Sequence, residues 1–271
     1  MKFDSNLAWK QASASIAANR DLLLALAGVF FLLPSLVFSL LVPQPEPAPG
    51  MEPDAMMKLM SDYYIAAMPY FIPMAVLQAG GTLAMLTLFT DRSRPTVGEA
   101  IRRGFASILT YVLALMLVGF GLGGAAVLVL TLAGVTGVAA LAVLAFVALI
   151  VGAIYVGIKT SLLGPVVAVD GERNPIAAIR RSWRLTKGNS ARIGLFYLLV
   201  LVAFFVGLMI AMTLVGILLA LVAGDETAKV IAAMVSAAIG SVMTLYFVAI
   251  SAAVHRQLSG PSPEAVSAPF E

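Results

Sequence analysis

Charged side chains are missing from long stretches of this chain, and the gaps between them mark out its elements. Apolar runs lie between Asp21 and Glu46, Asp62 and Asp91, Arg103 and Lys159, Arg192 and Asp225, and Lys229 and Arg256. None alternates with a two-residue period, and lipid forbids open strand edges, so these runs predict helices. The run from Gly104 to Ile158 carries no charge at all, and it is far longer than the ~20 residues that one span needs. Gly134-Val135-Thr136-Gly137 is the best place within it for a turn. The pattern therefore predicts six spans, at about 22–42, 64–89, 106–132, 138–158, 193–222 and 230–254. The fold class expected is all-α: a polytopic membrane bundle forming one domain over 1–258, with a flexible cytoplasmic tail over 259–271.

Composition strengthens this reading. Of the 271 residues, 61% are apolar and 11% charged, whereas soluble domains carry charge at about a quarter of positions. A chain of this size cannot hide so much apolar surface from water. There is no cysteine, so neither disulfides nor thiolate metal sites are expected. The first apolar run, Leu22 to Val42, follows a polar segment holding Lys2, Lys10 and Arg20. It exceeds a signal-peptide core of about 7–15 residues and reads as a retained span.

Charge then sets the orientation. With six spans, 15 of the 17 Lys and Arg residues fall on the side of the two termini, leaving only Lys58 and Lys229 on the other. Positive charge concentrates on the cytoplasmic side, so both termini are expected there. The opposite side carries a proline-rich, acidic stretch, Pro43 to Asp62, whose proline spacing suits an extended strap.

A short internal repeat accompanies the spans. Ala100-Ile101-Arg102-Arg103-Gly104-Phe105 precedes the third, and Ala178-Ile179-Arg180-Arg181-Ser182-Trp183 precedes the fifth. A looser version around Trp9, Asn19 and Arg20 precedes the first. The unit suggested is a short cytoplasmic amphipathic helix followed by two spans, three times over. Thr96-x-x-Glu99 is a capping box, and Asn174-Pro175 pairs an N-cap with proline at the first helical position.

Candidate chemistry is sparse. In Pro175 to Lys187, Ile176, Ile179 and Trp183 share a face while Arg180, Arg181, Arg184 and Lys187 cover the rest, and Arg192 follows. Such a helix lies in the membrane interface. Its cations serve either as a topological anchor or as a site for an anionic headgroup, each attracting anionic lipid by about 1 kcal/mol. Arg102 and Arg103 form a smaller copy. Gln78 is the strongly polar side chain nearest the middle of a span, between Pro73 and Gly80-Gly81. It either makes an interhelical hydrogen bond or marks a solute site in a broken helix. Small residues at Gly119/Gly123, Gly207/Ala211 and Ser236/Gly240/Thr244 are expected to let helix backbones approach closely. The single histidine, His255, lies beside Arg256 at a span end, where a snorkelling or headgroup role is expected. No ionisable group lies deep in a predicted span, and no metal-ligand spacing or phosphate loop occurs, so no enzyme and no cofactor are expected.

The stretch from Gly164-Pro165-Val166-Val167 through Asp170-Gly171-Glu172-Arg173-Asn174-Pro175 to Ser182-Trp183-Arg184-Leu185-Thr186-Lys187-Gly188-Asn189 resembles the membrane domain attached to some glycerophosphoryl diester phosphodiesterases. It is also similar to the YciC-like bacterial inner-membrane proteins. The resemblance implies a bacterial cytoplasmic-membrane protein and transfers no activity, because hydrolysis in the fused proteins belongs to a separate soluble barrel. The function expected is that of a non-enzymatic membrane protein binding lipid or supporting a membrane partner. The rival is a transporter or channel for a small or lipidic solute, with a polar cavity lined by Gln78, Tyr111, Tyr155 and Tyr246. The partners expected are anionic headgroups on the cytoplasmic side, and no nucleic acid.

Overall fold

A computed structural model describes residues 2–45, 47–90, 95–222 and 224–260 of the protein. Arg92, Arg94 and most of the expected tail lie outside the described residues. Helix α1 spans Ser5–Ala18, and α2 spans Arg20–Leu41 through a π turn at Gly28–Leu32. Then follow α3 (Pro53–Thr90), α4 (Val97–Val135), α5 (Ala139–Thr160), α6 (Leu163–Ala168), α7 (Pro175–Leu185), α8 (Ser190–Val222) and α9 (Asp225–Ser259). Six stretches are long and apolar enough to cross a membrane: α2, α3, α4, α5 with α6, α8 and α9. This is a multi-pass membrane protein with an all-α bundle.

Local chemistry places the breaks. The turn between α4 and α5 falls at Gly137, whose φ of 67° favours glycine. Thr96 and Glu99 form both halves of their capping box at the start of α4. Two expectations are corrected. The segment after Pro43 is not extended throughout, because α3 begins at Pro53, with Asp54 in its first turn. Proline at the first helical position loses no hydrogen bond, and the residues that follow are good helix formers. The middle repeat unit has no separate interfacial helix. Residues 97–135 form one uninterrupted helix, because nothing around Gly104 provides the stop that Gly188, at φ 82°, provides after α7.

The packed core is concentrated at one end of the bundle. There Leu83, Met85, Leu86, Leu162, Leu163, Val166, Val167, Ile193, Leu245, Ile250 and Val254 are fully buried. The N-terminus docks at this end: the Phe3 amide donates to Asn189 Oδ1 at 2.9 Å, and the Asp4 amide donates to Gln257 Oε1 at 3.1 Å. Helix α1 lays Ala8, Ala12 and Ile16 into the core at helical spacing, and Trp9 stacks on Tyr246 of α9. Because α7 and Lys159 also lie here, we call it the basic end. Away from it burial is sparser, and no residue in the most apolar stretch of α5 is buried.

Glycines show the same division. A Cβ on Gly104 would lie 2.6 Å from the Ala84 nitrogen and 2.9 Å from the Gly80 oxygen, so the crossing of α3 and α4 needs hydrogen there. The Phe105 ring occupies the space over Gly80, and the Phe30 ring that over Gly81. Gly119, Gly123, Gly207 and Gly240, by contrast, have no such neighbour within 4 Å. At these four glycines the expected close approach of another helix is therefore not seen among the described residues. Gly104→Ala should lower stability by about 1–3 kcal/mol through overpacking against backbone. Gly119→Ala should be neutral, or stabilising by up to about 1 kcal/mol from helix propensity. Unfolding in mixed micelles measures both, and equal effects at the two positions would contradict this packing.

Candidate functional site

The segment between α6 and α7 is fastened at each step. Helix α6 is buried from Leu163 to Val167, and the chain reverses at Gly171, φ 68°. Arg173 Nη1 donates to the Ala106 carbonyl at 3.2 Å and to Ser107 Oγ at 2.8 Å, while Thr110 Oγ1 donates to the Arg173 carbonyl at 3.1 Å. Asn174 Oδ1 then accepts from the amides of Ile176 and Ala177, capping α7. Pro175 follows at the first helical position.

Small residues set which face of α7 points inward. Ala178, Ser182 and, just past the helix, Thr186 are fully buried. Ser182 Oγ donates to the Lys159 carbonyl at 2.7 Å, tying α7 to the end of α5. Ile176, Arg180, Trp183, Arg184 and Lys187 are left outside. An open groove of about 810 Å³ runs along this outer face, lined among others by Glu172, Ile176, Arg180, Trp183 and Arg184. A smaller one, about 400 Å³, is lined by Arg181, Arg184, Leu185, Lys187, Asn189 and Leu258.

Arg181 stands apart from the other cations of α7. Its Nε hydrogen-bonds Asp170 Oδ2, and the same oxygen lies 3.2 Å from His255 Nε2. Asp170 is exposed as a residue through its backbone, but its side chain is only 14% exposed. Burial alone would raise the Asp170 pKa; hydrogen bonds and charge from His255 and Arg181 outweigh it and hold the carboxyl below its usual value. An ionised carboxylate only accepts, so His255 Nε2 carries the proton in this contact. His255 Nδ1 is buried with no hydrogen-bond partner among the described residues. The expected snorkelling role for His255 is therefore corrected. Its side chain is 3% exposed because the phase of α9 turns it toward Asp170, while Arg256 reaches the Phe89 carbonyl.

Lys159 is buried as well. The residue is 3% exposed, with Nζ 5.5 Å from the Tyr155 ring centroid and 5.8 Å from that of Trp183. Those two rings meet edge to face at 82°.

The sequence-selected residues thus divide. Arg180 and Arg184 share the larger groove, and Arg184 and Lys187 share the smaller one with Arg181. Arg192 is exposed in the first turn of α8. Arg102 and Arg103 are exposed in the first turns of α4 and line neither groove. Gln78 is half-buried, and its Nε2 donates to Ser35 Oγ at 3.2 Å, joining α3 to α2.

A family model described as a domain of unknown function, DUF7847, matches residues 10–258. The chain belongs to this family. No curated protein and no solved structure matches it. The DUF7847 match takes in Lys159, Asp170, Arg181 and His255, so the fastened basic end lies within the family domain. Sequence reasoning passed over Asp170 and Lys159 as site members. The signal for Asp170 was its position: with Glu172, it is one of two acids between Lys159 and Arg192, amid a run of cations.

Proposed function

We propose that this DUF7847 protein is a non-enzymatic protein of a bacterial cytoplasmic membrane, with both termini inside, that holds anionic lipid headgroups at its basic end. One observation carries the reading. Arg180 and Arg184, one turn apart, face outward along a groove that also exposes Trp183 and Ile176. Paired guanidinium groups beside an exposed indole suit a phosphate at the membrane interface. Since Arg181 is taken up by Asp170, it is not part of this surface. Less supports transport, because the tyrosines expected to line a shared cavity go to separate surroundings. Tyr246 stacks on Trp9, Tyr155 meets Trp183, and Gln78 bonds Ser35.

The test keeps charge and removes the guanidinium fork. The Arg180→Lys/Arg184→Lys double variant should insert normally and lose selectivity for phosphatidylglycerol over phosphatidylcholine by about threefold or more. Native mass spectrometry of nanodisc-derived complexes measures this. Unchanged selectivity would leave α7 as an anchor only.

A further inference from the structure

Lys159 presents an unusual charge balance. It is 3% exposed, and its ammonium lies over the faces of Tyr155 and Trp183, with no ion pair among the described residues. The acids nearby in the chain are engaged: Asp170 pairs with Arg181 and His255, and Glu172 Oε1 accepts the Asn174 amide at 3.0 Å. So little of Lys159 is exposed that its ammonium, without an ion pair among the described residues, is poorly compensated, and aromatic faces offset only part of that cost. Trp183, the ring Lys159 approaches, also lines the groove holding Arg180 and Arg184. Glu172 lies in that groove too, so the two arginines leave it one positive charge in excess, and Lys159 adds another from beneath. Beside it, Val151, Ile154 and Tyr155 of α5 present exposed apolar surface.

We propose that Lys159, Arg180 and Arg184 together bind the phosphate of one anionic phospholipid at the junction of α5 and α7, with its acyl chains along α5. The proposal rests on the headgroup reading above and adds a specific residue and place. The bound phosphate supplies the counter-charge that the fold withholds from Lys159. Trp183 lines the groove and lies against the Lys159 ammonium, and so reports on whatever occupies the site.

That position provides the experiment. The chain has two tryptophans, Trp9 and Trp183, so Trp9→Phe leaves Trp183 as the sole indole. This full-length variant is reconstituted in phosphatidylcholine vesicles containing rising fractions of bromine-labelled phosphatidylglycerol, which quenches indole fluorescence on contact. Quenching should show phosphatidylglycerol enriched beside Trp183 above its bulk fraction. Lys159→Gln should reduce that enrichment about fivefold, the effect of one interfacial charge, and Lys159→Arg should preserve it. Lys187→Gln removes an equal charge outside this groove and should change little. Equal loss in Lys159→Gln and Lys187→Gln, or no loss in Lys159→Gln, would overturn the proposal. If Lys159→Gln were inert while Arg180→Gln/Arg184→Gln lost enrichment, the headgroup reading would stand without Lys159. If the parent showed no enrichment, both would fall. Inorganic phosphate added at millimolar concentration should not displace the lipid; displacement would identify a free anion as the ligand and refute the lipid assignment.

Discussion

Asp170→Ala should lower stability by about 2–3 kcal/mol, a large effect for one surface-proximal carboxylate. Removing one partner of a buried ion pair leaves the other charge uncompensated and commonly costs about 3–5 kcal/mol. The lower figure follows because the Arg181 side chain is 39% exposed, so water recovers part of its solvation. His255 recovers less. Its Nε2 would lose its acceptor, and Nδ1 already has no hydrogen-bond partner among the described residues. Acid adds an independent signature. The Asp170 pKa is lowered on folding, so its stabilisation is complete above the unfolded carboxylate value of 3.8. It is lost as pH falls from there through the lower folded value, since the unfolded chain binds the proton more readily. The parent should therefore lose stability on acidification below that value, and Asp170→Ala should lack this part of the slope. Denaturant titration in mixed micelles at neutral and acid pH measures both quantities. A variant within about 0.5 kcal/mol of the parent at neutral pH would mean that the contact is ornamental to folding.

How much of this was legible beforehand depends on the kind of signal. Five apolar runs follow from charge spacing, because a charge at mid-bilayer is expensive and its absence over a long run is informative. The sixth helix follows from the length of the run from Gly104 to Ile158 and the glycines that can turn it. Caps at Thr96/Glu99 and Asn174 were also readable, since a cap is a local bond between near neighbours. The division between Arg180 and Arg181 was not. Adjacent positions on a helix differ by about 100°, and the choice of inward face was made by Ala178 and Ser182 docking on the end of α5. Nothing in α7 alone announces that contact. His255 failed similarly: in an apolar helix every face suits lipid, so periodicity does not say which one meets a neighbour. Gly104 and Gly119 look alike in sequence, yet one sits at a helix crossing and the other at none. Contact between distant segments separates them, and a single sequence does not state it.

Orientation across the membrane should give an all-or-none result. The reading rests on 15 of 17 cations lying on one side, and cations resist translocation during insertion. The structure brings many of that side's groups to a single end: the N-terminus meets Asn189 and Gln257, and Asp170 meets Arg181 and His255. The basic end must therefore face one compartment as a unit. With no native cysteine, single cysteines can be placed freely. Positions Pro49 and Thr136 lie in the connections at the opposite end, between α2 and α3 and between α4 and α5. Gly98 and Ala191 are exposed in the first turns of α4 and α8 at the basic end. Pro49→Cys and Thr136→Cys should react with a membrane-impermeant maleimide added to intact cells. Gly98→Cys and Ala191→Cys should react only after the membrane is permeabilised. The Thr136 result carries most weight, because it tests the turn at Gly137 on which the even number of spans depends. If Thr136→Cys stayed silent outside while Ala191→Cys was labelled, the chain would cross the membrane an odd number of times before α8, and the basic end would not face the cytoplasm.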